Sequence, residues 1–145
     1  MFRQHTRFVT IVFVSALLVA LAPTTFAGCS SGAGDLDGTH WKLVEWTVNS
    51  LFPGDFAIRA QFADGQISGT SGVNSYSGPY KADGDSFEVS AVAGTLMAGP
   101  EPAMRAEAAY LTLLQQARLF AVSGSTLTLY DNGGNVSLVF EAVAD

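Results

Sequence analysis

Apolar residues fall along this chain in three rhythms. The first is an almost unbroken run from Phe8 to Ala22, interrupted only by Thr10 and Ser15. It is shorter than the roughly 20 apolar residues a transmembrane helix needs. The second is an alternation of period two. Trp41 and Leu43 flank Lys42, and Phe56, Ile58, Ala60 and Phe62 alternate with Ala57, Arg59 and Gln61. That is the pattern of half-buried strands. Asp64-Gly65 separates the second strand from Ile67-Ser68-Gly69-Thr70 and supplies the positive φ angles of a tight hairpin turn. A further segment runs from Tyr76 to Lys81, and Asp83-Gly84 turns the chain into Phe87 and Val89.

The third rhythm is helical and predicts a helix near residues 103–117. Met104, Ala108, Leu111 and Leu114 share one face there, with Ala117 close by. Pro102 fits the first turn, where its missing N–H is not needed. Glu101 and Glu107 complement the positive helix start, and Arg118 complements its end. Alternation then returns. Leu119 to Val122 leads to a turn at Ser123-Gly124-Ser125, and Leu127 and Leu129 alternate with Thr126, Thr128 and Tyr130. Asp131 to Asn135 has turn chemistry, and Val136, Leu138 and Phe140 share a face of the last strand. Many short strands and one helix predict a mainly β (α+β) domain. Its form is a small antiparallel sheet or partly open barrel packed by that helix. No repeat and no second domain is visible.

The N-terminal run has a further context. Arg3 and Arg7 precede it, Pro23 follows it, and Ala27-Gly28 stand before Cys29, the chain's one cysteine. A positive start, an apolar stretch and small residues before a cut make a signal peptide over residues 1–28. The stretch Thr25-Phe26-Ala27-Gly28-Cys29-Ser30 resembles a bacterial lipobox, although Phe26 stands where that motif prefers Leu. The resemblance implies lipidation of Cys29 and a cell-envelope location, with the domain outside the cytoplasm and held to a membrane by acyl chains. Each buried CH₂ contributes about 0.8 kcal/mol, so several chains on one residue anchor firmly. Two alternatives stay open: release by ordinary signal peptidase, and an uncleaved anchor. Residues 29–37 read as the lipidated cysteine and a flexible tether, with the domain at 38–145.

Charge changes the picture modestly. Cleavage would leave 117 of the 145 residues, enough for one core without staples. It would remove two of the seven basic residues and none of the thirteen acidic ones, moving the net charge from −6 to −8. An acidic surface disfavours nucleic acid and gives no polybasic attraction to anionic lipid. With Cys29 lipidated, no thiol is left for a disulfide.

The segment from Ile67 to Tyr80, ISGTSGVNSYSGPY, is unusual for a strand. It resembles the signature of the META domain (HslJ-like) family: Gly, a small residue, Gly-Cys-Asn, then an aromatic, Gly and Tyr. Gly69, Gly72, Asn74, Gly78 and Tyr80 stand at matching positions. Trp41 and Leu43 resemble the family's opening Trp-x-Leu, Thr95 and Met97 its Thr-x-Met-Ala-Cys segment, and Glu107 and Leu114 its helix. Leu127 to Leu129 and Val139-Phe140 resemble its closing hairpin. The resemblance implies a compact β domain, common on secreted or lipid-anchored bacterial proteins and tied in several members to heat shock or novobiocin resistance. It implies no shared reaction and no cofactor, and a structural role for the signature residues. Val73 and Gly99 stand where relatives carry cysteine. Losing both together is what paired thiols would produce.

Candidate chemistry is sparse. His40 is the one histidine after the expected cut, and a Ser–His hydrolase would need a serine within its reach. A strand-edge histidine is the simpler reading. Asp83, Asp85 and Glu88 could meet a cation, but they lack a full calcium loop, and no cysteine or histidine cluster exists for zinc. The glycines from 69 to 78 form no phosphate loop, because neither Lys-Ser nor Lys-Thr follows. They suit a bulge or a close backbone approach, with Asn74 bonding across the bend. Trp41, Trp46, Phe52 and Phe56 surround Pro53-Gly54 and are expected mostly in the core. The sequence therefore favours a non-enzymatic binding or stress-protective module that meets an envelope protein or an apolar ligand. The alternatives are a protease inhibitor presenting a loop at 50–55 or 97–102, and a hydrolase using Ser with His40.

Overall fold

The computed structural model describes residues 36–144. Among these described residues nine strands form: β1 Thr39–Trp46, β2 Ile58–Ala63, β3 Gln66–Ser71, β4 Ser75–Asp83, β5 Ser86–Val89, β6 Ala93–Gly94, β7 Leu119–Ser123, β8 Thr126–Tyr130 and β9 Val136–Ala142. One helix, α1 Glu101–Gln116, lies between β6 and β7, and a 3₁₀ turn spans Pro53–Asp55. The pairing order β3-β2-β1-β9-β8-β7-β5-β4 closes on itself, because β4 also pairs with β3. The molecule is thus a closed eight-stranded antiparallel barrel, with β6 added to β4. Closure leaves few strand edges exposed. The thinnest seam is β5–β7, where one residue pair, Ser86 with Leu119, is flanked by the bonds Phe87 N–H to Arg118 O and Phe120 N–H to Asp85 O, each 2.8 Å.

Alternation decides what fills the barrel. Trp41 and Leu43 from β1, Ile58, Ala60 and Phe62 from β2, and Tyr76, Tyr80 and Ala82 from β4 all point inward and are buried. An eight-stranded barrel has an interior that side chains can fill. Aromatic rings meet edge-on there, Phe62 against Tyr80 at 4.9 Å and against Phe87 at 6.2 Å. The first hairpin follows its turn chemistry, with Asp64 at φ 53° and Gly65 at φ 72°.

Several local expectations are corrected. Helix α1 begins at Glu101 and ends at Gln116, and it buries Ala106, Tyr110 and Leu114, with Ala117 just beyond. Of the expected stripe, Ala108 is exposed, and Met104 and Leu111 are half-buried. Tyr110 decides the rotation. Its ring lies edge-on to Phe140 at 6.4 Å and to Tyr76 at 5.5 Å, and a large ring gains more from burial than Ala108 does. Arg118 does serve the helix end, donating to Gln115 O and Ala117 O. Phe56 lies outside β2 and is half-buried. Asp83 pairs with Ser86, so the central turn residues are Gly84 and Asp85, one step later than expected. Val136 is 44% exposed. The β8–β9 register slips beside Leu129 and Tyr130, placing Ser137 as the extra residue and turning Val136 outward. Leu36 is wholly buried, and Asp37 accepts a bond from Asp64 N–H at 2.7 Å, so packing begins before residue 38.

Candidate functional site

The bend between β3 and β4 gathers most of the polar side chains of the sequence signature. Gly72 turns there at φ 126°, a conformation L side chains rarely adopt, and a Cβ on it would stand 3.2 Å from Ala103 O. The bend therefore sits directly against the start of α1. That brings the Glu107 carboxylate onto its backbone. Oε2 accepts bonds from Ser71 Oγ at 2.7 Å, Asn74 N–H at 2.8 Å and Val73 N–H at 3.3 Å, and Oε1 accepts Asn74 Nδ2 at 2.8 Å. Glu107 thus serves the bend, not the helix dipole. Burial works to raise its carboxyl, but the bonds from Ser71, Asn74 and Val73 outweigh burial and hold it below the ordinary range.

Asn74 passes this hold onward. Its Oδ1 accepts Thr95 Oγ1 at 2.7 Å and Met97 N–H at 2.8 Å, while Nδ2 also donates to Met97 O at 3.2 Å. Thr95 N–H adds a bond to Ser75 O at 3.0 Å. Asn74 is only 3% exposed, so these bonds occupy the full capacity of its amide. Helix, bend and the strap leading from β6 to α1 are locked by one carboxylate and one amide. The arrangement positions backbone. The Glu107 carboxylate accepts four bonds from the bend, three of them on Oε2.

The strap carries what the sequence reading missed. Leu96 is 99% exposed and Met97 59% exposed. The candidate loop at 97–102 begins one residue too late to include Leu96. No periodic pattern marks it, since it lies between two residues held by Asn74. The remaining signature residues lie elsewhere. Trp41, Leu43 and Tyr80 are in the barrel core. Gly69 and Gly78 allow close backbone approach, a Cβ on them meeting Arg59 O at 2.0 Å and Ala91 O at 2.8 Å. Val73 and Gly99 are neighbours: a Cβ on Gly99 would lie 3.4 Å from Val73 Cβ and 2.6 Å from its Cγ2. Their Cβ separation is close to that of a disulfide.

Other candidates are dispersed. His40 is half-buried and lines a surface cleft of about 320 Å³ with Arg59, Gln61, Thr70 and Val143. The described lining of that cleft includes neither a serine nor a carboxylate. The loop at 50–55 is folded back, with Trp46 Nε1 donating to Leu51 O at 2.8 Å and Pro53 buried, although Phe52 is 66% exposed. Asp83, Asp85 and Glu88 are exposed, and among the described residues no group of three or more acidic, histidine or cysteine side chains is placed to hold a metal. Cys29, the signal segment and the tether up to residue 35 lie outside the described residues.

Comparison with known proteins agrees with this architecture. The family model of the META domain matches residues 34–144. A protein from Burkholderia xenovorans solved by NMR is 25% identical, with a TM-score of 0.66 over 77% of this chain and 86% of that one. A DUF4847 family protein from Bacteroides vulgatus has the same fold at 15% identity, with a TM-score of 0.54 over 73% of this chain and 93% of that one. No curated protein matches the chain in sequence.

Proposed function

The chain belongs to the META domain family, and from that premise we propose that it is a cell-envelope lipoprotein whose barrel is a non-enzymatic, stress-protective binding module. One observation carries the reading. The polar signature residues are spent on each other, and the side chains they hold outward, Leu96 and Met97, are apolar and in water. A frame of that kind presents a surface and performs no chemistry of its own. The anchor in this reading is lipid on Cys29, supported by the pattern of residues 1–28.

Two measurements test it. Metabolic labelling with a palmitate analogue should mark the wild-type chain and leave Cys29→Ser unmarked; an unlabelled wild-type chain removes the anchor. A photo-crosslinking residue at position 96 of the full chain in cells should give specific adducts. The same residue at exposed Glu88 should not. Identical adduct patterns from the two positions remove the binding module.

A further inference from the structure

An exposed leucine by itself is ordinary. Leu96 is set apart by its frame. The residue before it is fixed through Thr95 N–H to Ser75 O and Thr95 Oγ1 to Asn74 Oδ1. The residue after it is fixed through both its N–H and its carbonyl to the Asn74 amide. That amide is held in turn by Glu107 from α1. One buried side chain therefore ties down both flanks of a single protruding apolar residue. The backbone is ordered before any partner arrives, and such pre-organisation strengthens association by reducing the entropy lost on docking.

We propose that Thr95-Leu96-Met97 is a substrate-like loop that occupies the cleft of an endopeptidase whose primary pocket is apolar, with Leu96 filling the pocket. This rests on the binding-module reading and names its partner. An endopeptidase cleft takes one side chain into a pocket, and this strap offers one at a fixed geometry, because the flanking Thr95 N–H and the Met97 N–H and C=O are already bonded within the protein. Complexes of that class form with little backbone movement. The Asn74 tether also gives the loop its resistance. Both sides of the Leu96–Met97 bond are bonded to the same amide, so neither side is free to swing away as a flexible substrate's would. A bilayer is the poorer partner, because two apolar side chains on a chain of net charge −6 offer little insertion and no attraction to anionic lipid.

The test uses the full-length chain in detergent against purified chymotrypsin-like, subtilisin-like and trypsin-like endopeptidases. The wild-type chain should inhibit the enzymes with apolar pockets competitively. Leu96→Asp should weaken that inhibition about 100-fold, the scale of a lost central anchor, with an unchanged unfolding midpoint. Leu96→Arg should move inhibition to the trypsin-like enzyme, whose pocket is acidic. Asn74→Ala should turn the chain into a substrate, cut between Leu96 and Met97 as read by mass spectrometry. The proposal is overturned if the wild-type chain inhibits none of the three classes, or if inhibition does not follow residue 96. It is also overturned if Leu96→Asp abolishes flotation with anionic vesicles and leaves inhibition untouched. Specific position-96 adducts with a non-peptidase would overturn this inference and leave the binding module standing. Absence of specific adducts would remove both.

Discussion

At the scale of single residues, Glu107 decides more than its position on a helix suggests. Removing its carboxylate in Glu107→Ala strands the backbone N–H groups of Val73 and Asn74, while Asn74 Nδ2 keeps Met97 O and the Ser71 hydroxyl turns to Asn74 O, 2.9 Å away. That should destabilise the fold by about 1–3 kcal/mol, water replacing part of the loss at this half-buried site. The sign of its pH dependence follows from the lowered carboxyl. In the window below the unfolded value of about 4.3, the unfolded chain takes up a proton before the folded one does. The stabilisation is full above that value and is lost as pH falls through the folded one. Thermal melts between neutral pH and pH 3 should therefore show a shallower acid decline in Glu107→Gln than in the wild type. The buried tyrosine pair behaves oppositely. Tyr76 donates to Arg59 O at 3.1 Å and meets Tyr110 Oη at 2.6 Å, so Tyr110 is the donor between them. Burial raises both phenols. Above about pH 10 the unfolded chain loses phenolic protons that the folded one keeps, so stability falls as pH rises. Tyr76→Phe should destabilise by about 1–3 kcal/mol, because it strands the wholly buried Tyr110 hydroxyl. Tyr110→Phe should cost about 0.5–1.5 kcal/mol, because Tyr76 keeps its carbonyl. Chemical denaturation of the two variants checks this order.

At the scale of elements, the strap and the bend are packed face to face through Val73 and Gly99. Gly99→Ala should destabilise by about 1–3 kcal/mol, since the new methyl would meet a stiff valine. The double change Val73→Cys, Gly99→Cys removes that valine and places two thiols at disulfide range. Oxidised, it should raise stability by about 2–4 kcal/mol, reversed by reductant. A mass loss of two hydrogens and a reductant-sensitive melting temperature are the readouts. The same geometry fits what the resemblance to the META family implies for these two positions, because a lone cysteine at either would face a side chain that cannot pair with it.

For the whole molecule, closure of the barrel rests on seams of unequal strength. β2–β3 is a full ladder from Ile58–Ser71 to Ala63–Gln66, whereas β5–β7 has a single residue pair. Local opening should begin at the thin seam. Hydrogen exchange should therefore be faster at the amides of Phe87 and Phe120 than at Phe62 and Leu129. Equal protection at all four would mean that the barrel opens only as a unit.

The sequence by itself determined the local features of this protein. Alternation at Trp41 to Leu43 and Ile58 to Phe62, the turn at Asp64-Gly65 and the helix after Pro100 are set by neighbours a few residues apart. Mean periodicity could not place Tyr110 or Val136, because one ring's packing and one extra residue in a ladder override the local pattern. The polar clasp was legible as a set of residue types but not as a cluster. Asn74 and Glu107 are 33 residues apart in the chain, and only the positive-φ bend at Gly72 brings them together. The tertiary structure alone decided that the sheet closes and that Leu96 stands outward. Closure depends on β5 finding β7 across the intervening helix, and the exposure of Leu96 depends on bonds made by the residues beside it.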